Sequence, residues 1–150
     1  MDKHARILVV DDDVSIRNTM KAILEDERYL VDLAATGSEA IKKTKKTAYN
    51  VALLDIRLPD MEGVELLKLM KDTVPRTRKI IITGYPSMQN AIAALNKNAD
   101  AYLTKPVNVE NLLNTVKEQL QFQEKEREFS EQKVAEFIET RVKELSVDHA

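Results

Sequence analysis

The 150-residue chain has no cysteine, which closes off both a disulfide framework and a thiolate metal site. It has no basic excess either. Its formal net charge is −2, whereas a dedicated nucleic-acid binder usually carries a positive surplus. No apolar run approaches the length that crosses a bilayer. The opening Met-Asp-Lys-His-Ala-Arg stretch lacks the basic region, apolar stretch and small-residue cleavage site of a signal peptide. A cytoplasmic protein with no membrane or nucleic-acid contact of its own is the expectation. No G-x-G-x-x-G follows the first apolar run, which argues against a dinucleotide site.

What is present describes a globular domain with a highly charged surface: 43% apolar and 32% charged residues in a length suited to one core. Short apolar runs alternate with amphipathic segments over the first 120 or so residues. Ile7-Leu-Val-Val10 stops at three aspartates, and Ile16, Met20, Ile23 and Leu24 then mark one helix face. Tyr29 to Ala34 is a weaker strand candidate, followed by Thr36-Gly-Ser-Glu39 with capping-box spacing. Val51-Ala-Leu-Leu54 ends at Asp55, and a loop with Pro59 and Gly63 leads to a helix carrying Leu66, Leu67 and Met70. Lys79-Ile-Ile-Ile82 ends at Thr83, and Ser87 is placed to cap a helix holding Ile92 and Leu95. Ala101-Tyr-Leu103 precedes Thr104-Lys-Pro106, and a last helical pattern starts at Val109. Five strand-then-helix units predict an α/β fold with a parallel sheet covered by helices on both faces.

Asp11-Asp12-Asp13, Asp55, Thr83 and Lys105 each follow directly on an apolar strand candidate. In a parallel sheet the carboxyl ends of the strands share one edge, where ligands bind, so these groups converge. Clustered carboxylates repel and need a cation to stay ionised together. Oxygen ligands without His or Cys favour Mg²⁺. An Asp carboxylate beside Mg²⁺ is competent to attack phosphorus, with Lys105 and Thr83 free to meet phosphate oxygens. Asp55 is the nucleophile this reading selects. Asp13 is better placed as a helix cap, and Met61 and Met70 read as packing residues.

Ile7-Leu-Val-Val-Asp-Asp-Asp13, Leu54-Asp-Ile-Arg-Leu-Pro-Asp-Met-Glu-Gly63, Ile81-Ile-Thr-Gly84 and Tyr102-Leu-Thr-Lys-Pro106 resemble the four signatures of response regulator receiver domains. The resemblance covers roughly residues 5 to 120. It implies a flavodoxin-like, CheY-like doubly wound five-stranded sheet of order 2-1-3-4-5. It also implies that Asp55 is the phosphoacceptor of a sensor histidine kinase and that Mg²⁺ is bound by Asp11, Asp12, Asp55 and the backbone carbonyl of Arg57. Asp12 would be the direct ligand and Asp11 would act through water. Thr83 and Tyr102 match a switch pair, and Lys105-Pro106 matches a cis peptide. The protein would then be no enzyme beyond its own phosphorylation and dephosphorylation. It would signal to a downstream protein through the face of the fourth and fifth strand–helix units. Arg57 and Tyr85, each two residues beyond a site group, are expected to slow acyl-phosphate hydrolysis.

Two rivals bear on the same residues. A haloacid-dehalogenase-type phosphatase would use Asp11 as nucleophile, but Asp11-Asp-Asp-Val-Ser15 imitates its signature only in part. A receiver-like binding module that never turns over phosphate usually lacks an acidic or lysine position, and this chain keeps them all. The domain is expected to span residues 1–120, with a charged helical extension over 121–150. That extension has no Gly or Pro and carries an apolar stripe of Val134, Phe137, Ile138, Val142 and Leu145. It reads as a solvated tail, as a helix for a partner or for a homodimer, or as the start of a linker to a further module. The switch face is the other candidate homodimer surface.

Overall fold

A computed structural model of the chain describes residues 5–70, 73, 75–84 and 99–148. The helix expected around Ser87, Ile92 and Leu95, and the side chain of Tyr85, lie outside the described residues. Five parallel strands, β1 (Arg6–Val10), β2 (Leu30–Ala34), β3 (Val51–Asp55), β4 (Arg78–Thr83) and β5 (Ala101–Thr104), form one sheet in the order β2-β1-β3-β4-β5. Helices α1 (Val14–Asp26), α2 (Gly37–Lys46) and α3 (Gly63–Leu69) join them, and a C-terminal helix runs over Val109–Asp148. The fold is the flavodoxin-like doubly wound sheet that the motifs implied.

Alternation along the strands builds two cores. Ile7, Val9, Leu53, Ile80 and Ile82 pack under Met20 and Leu24 of α1 and under Leu112, Val116 and Leu120 of the C-terminal helix. Leu8, Val10, Ala52, Leu54 and Ile81 face α2 and α3 through Ala40, Leu66 and Leu67. Both faces of the central strands are therefore dry, which is why those strands read as continuous apolar runs.

Local chemistry sets the helix ends. Asp13 caps α1, its Oδ1 accepting the N–H groups of Ser15 and Ile16 at 2.8 and 3.1 Å. The helix ends with Arg28 in the left-handed region at φ 69°. The Arg28 and Tyr29 N–H groups return to the Glu25 and Leu24 carbonyls, and Leu24 and Tyr29 lie in one core cluster, as in a Schellman end.

The C-terminal helix is fastened across the amino ends of the strands, opposite the acidic edge. Gln123 is buried. Its Nε2 donates to the Asn50 and Arg76 carbonyls at 3.0 and 2.9 Å, and its Oε1 accepts from Asn50 Nδ2 at 2.8 Å. Arg78 donates to Gln119 Oε1 at 2.9 Å and pairs with Glu126 and Asp100. Residue 120 lies inside this unbroken helix, and from Lys125 to Ser146 every side chain is exposed. Among the described residues, no helix is long and apolar enough to cross a membrane.

Candidate functional site

Register brings the polar groups together. Val10 of β1 pairs with Leu54 of β3, Asp55 with Ile82 of β4, and Thr83 with Thr104 of β5. Asp11, Asp55, Thr83 and Lys105 therefore emerge at the same edge of adjacent strands. Asp11 and Asp55 are buried while Asp12 is exposed, and ligand oxygens from all three lie within 4.8 Å of one another. They line an open cleft of about 520 Å³ together with Arg57, Pro59, Gly84 and Lys105.

Lys105 Nζ stands between the two buried carboxylates, 3.0 Å from Asp11 Oδ2 and 3.2 Å from Asp55 Oδ2. A cis Lys105–Pro106 bond follows, as the motif implied. The Lys105 N–H donates to the Thr83 carbonyl at 2.7 Å, which fixes the start of the loop to the end of β4. Arg17 Nη1 donates to the Asp11 carbonyl at 2.7 Å, and the Asp13 N–H donates to Asp11 Oδ1 at 2.9 Å. The buried acid is thus held from both ends of its own segment.

The electrostatics follow from this crowding. Burial, and then the charge of Asp11, push the Asp55 carboxyl above its ordinary value, although the Arg57 N–H and Lys105 oppose the rise. Burial pulls Lys105 the other way, but its hydrogen bond to Asp11 and the charges of Asp55 and Asp11 outweigh it. The ammonium is held above its ordinary value. Three carboxylates and one ammonium leave an excess of negative charge in a partly desolvated cleft. A hard divalent cation with oxygen ligands offsets such an excess, and Mg²⁺ takes one or two carboxylates while keeping several waters. The donor set fits that ion.

The remaining predicted residues occupy distinct places. Thr83 is fully buried at the end of β4. Tyr102 lies on the edge strand β5 with 47% of its surface exposed. Arg57 is exposed, and its N–H donates to Asp55 Oδ1 at 3.3 Å. Gly63 has a structural reason: a Cβ there would stand 2.3 Å from the Asp55 carbonyl oxygen.

Beside the cleft, Asp60 has a role that no motif announces. Asp60 reaches from the loop after β3 to the start of α2, its Oδ1 and Oδ2 accepting the Gly37 and Ser38 N–H groups, each at 2.9 Å. Its partners are backbone donors more than twenty positions away, so no motif links them. Only its place in the Leu58-Pro-Asp60 turn hinted at a loop role.

A sequence model of the response regulator receiver domain matches residues 7–117. The chain belongs to that family, and is a receiver domain of a two-component response regulator. Among relatives, the transcriptional regulatory protein ZraR of Klebsiella oxytoca is 39% identical over 114 residues, covering 76% of this chain and 26% of ZraR. The regulatory protein VanRB of Enterococcus faecalis is 40% identical over 111 residues, covering 74% of this chain and 50% of VanRB. The chain thus spans from about a quarter to half the length of these curated relatives. Among solved structures, a CheY-like receiver domain protein from Methanospirillum hungatei aligns with a TM-score of 0.75 at 50% identity, over 82% of this chain and 98% of that one. TrrA from Thermotoga maritima, solved in complex with Mg²⁺-BeF, aligns with a TM-score of 0.69 at 34% identity, over 77% of this chain and 98% of that one.

Proposed function

We propose that Asp55 accepts a phosphoryl group from a sensor histidine kinase. The observation that carries this reading is one buried carboxylate, Asp55, which the Lys105 ammonium bridges to the Asp11 carboxylate in an open acidic cleft. Asp55 forms the new P–O bond as the P–N bond of the kinase's phosphohistidine breaks, the electron pair leaving with the imidazole nitrogen. Lys105 then exchanges a carboxylate oxygen for a phosphoryl oxygen, and Thr83 turns its hydroxyl to another. Asp12, Asp55 and the Arg57 carbonyl would hold Mg²⁺ directly, with Asp11 acting through water. When bound, the ion supplies charge neutralisation and orients the phosphoryl oxygens.

Tyr102 follows Thr83 and reshapes the face of the fourth and fifth strand–helix units for a downstream protein. Phosphorylation shifts that population only by its differential interaction with the two states. The kinase would meet an apolar cleft of about 490 Å³, lined by Met20, Ile23, Pro106 and Val107, which shares Ile16, Gly84 and Lys105 with the acidic cleft. Residues 1–120 act as the receiver, in the cytoplasm, and 121–150 as an extension. An intact-mass experiment tests the transfer. Mg²⁺ and a small-molecule phosphodonor should add one labile phosphoryl group to wild type and none to Asp55→Asn. Labelling that persists in Asp55→Asn but vanishes in Asp11→Asn would favour the phosphatase rival.

The extension has a partner of its own in this reading, a second copy of the chain. Val134, Phe137, Ile138, Val142 and Leu145 are all at least half exposed along it. Its charges, paired within the helix as Arg127–Glu124, Arg141–Glu144 and Lys143–Glu139, are mixed in sign. That suits another copy better than an anionic membrane surface, which calls for a basic polar face. With roughly 100 Å² per side chain, two copies would bury about 1,000 Å², the lower bound of a stable interface. Sedimentation should show a weak, concentration-dependent dimer that Ile138→Glu abolishes. A wild type that stays monomeric at high micromolar concentration would remove this partner.

A further inference from the structure

The loop that follows the phosphoacceptor is closed at its base. The Gly63 N–H donates to the Ile56 carbonyl at 2.7 Å and the Leu58 N–H to the Met61 carbonyl at 3.1 Å, and Arg57 bridges Glu62 across the loop. Its floor is the Asp55 backbone, with no room for a side chain at residue 63. The tip of the loop is tied to a different element. Asp60 takes the first two N–H groups of α2, while Thr36 Oγ1 takes the third from Glu39 at 3.1 Å. Met61 completes the join, its sulfur seated where a Cβ on Gly37 would come within 2.4 Å.

Two hydrogen bonds that one carboxylate accepts from the dipole-positive end of a ten-residue helix make a directional fastening. The cap also satisfies donors that α2 cannot satisfy internally. The Asp60 carboxyl is accordingly held below its ordinary value by the Ser38 and Gly37 N–H groups. Thr36 and Asp60 divide the work: Thr36 caps α2 from within its own segment, and Asp60 caps it from the loop that carries Arg57.

We infer that Asp60 is a positioning residue, which sets the backbone of Arg57 for cation binding by hooking the post-acceptor loop onto α2. The inference rests on the cation reading of the cleft. Arg57 lies three residues from the hook, on a loop whose base is fixed; releasing the tip widens the range that its carbonyl samples. Residues that orient a metal ligand from behind typically govern affinity by tenfold or more. A hook one step further removed is expected to be worth about fivefold.

Calorimetric titration of the full chain with Mg²⁺ alone, without phosphodonor, tests this, alongside thermal melts. Asp60→Ala should weaken Mg²⁺ binding about fivefold, and Asp60→Asn, which keeps one acceptor oxygen, should fall between it and wild type. Thr36→Ala removes a cap from the same helix while leaving the loop hooked; it should lower the melting temperature yet keep the wild-type Mg²⁺ affinity. Wild-type affinity in both Asp60 variants would overturn the inference and reduce Asp60 to a helix cap. Equal weakening in Thr36→Ala would overturn it too, because helix stability alone would then be responsible. No Mg²⁺ uptake by wild type would instead remove the cation reading, and the inference with it.

Discussion

Replacing Asp55 with Asn, the change that abolishes the proposed chemistry, is expected to make the metal-free protein more stable. Asp55 is buried, with Asp11 oxygens within 4.8 Å and Lys105 at 3.2 Å. At an effective dielectric constant near 20, Asp11 repels the ionised carboxylate by about 3.5 kcal/mol and Lys105 attracts it by about 5 kcal/mol. Removing the carboxylate from water costs several kcal/mol more, which turns the balance against ionisation by about 2 kcal/mol. The raised Asp55 carboxyl points the same way. A carboxyl group whose folded-state pKa lies above its unfolded-state value subtracts stability at every pH above the folded value. Asn carries no charge, and Lys105 keeps Asp11 as its partner.

Urea unfolding at neutral pH in chelator, followed by circular dichroism, should therefore place the Asp55→Asn midpoint above wild type by about 1 M. Mg²⁺ at ten times its Kd should return about 1.4 kcal/mol to wild type and less to the variant, so the gap narrows. A metal-free variant no more stable than wild type would refute the electrostatic account of the cleft.

Three further outcomes follow from the same geometry. Asp100 accepts from Arg76 at 2.6 and 2.9 Å and from the Lys79 N–H at 2.7 Å. Burial raises its pKa, but the Arg76 hydrogen bond, the Lys79 N–H and the charges of Arg76 and Arg78 outweigh it, and the net shift is downward. A depressed folded value adds stability above the unfolded value that is lost as pH falls through the folded one. Asp100→Asn should thus cost about 2 kcal/mol at pH 7, a deficit that unfolding curves show closing below pH 3.8. Gly63→Ala forces a methyl to within 2.3 Å of the Asp55 carbonyl oxygen. It should cost about 2 kcal/mol in urea unfolding and slow phosphodonor labelling. Gln123→Ala removes three buried hydrogen bonds, one from Asn50 Nδ2 and two to the Asn50 and Arg76 carbonyls; a loss of about 2–3 kcal/mol is expected in the same assay.

Much of this molecule was legible in the sequence because its three central strands are buried on both faces. Ile7–Val10, Val51–Leu54 and the three isoleucines of Lys79–Ile82 each read as an apolar run, and each lies within a strand. Every polar group at a run's end then had to lie on one edge, so the meeting of Asp11, Asp12, Asp55 and Lys105 followed from topology. Asp13 as a cap needed only local spacing. What stayed hidden depends on partners without a side-chain signature. Asp60 binds backbone N–H groups of α2, and Gln123 binds carbonyls of residues 50 and 76. A buried Gln in an amphipathic helix looks like any other polar position until the strand ends arrive beneath it. The contacts of Lys105 with both Asp11 and Asp55 likewise carry no local sequence signal.

In the proposed transfer one atom takes the phosphoryl group, and chemical trapping identifies it directly. The protein would be phosphorylated with a small-molecule donor and Mg²⁺, reduced with borohydride, digested and sequenced by mass spectrometry. Reduction of an aspartyl phosphate leaves homoserine at the modified position. Homoserine at residue 55 alone is the predicted result. Homoserine at residue 11, or at no aspartate while the phosphate is found elsewhere, would contradict the account.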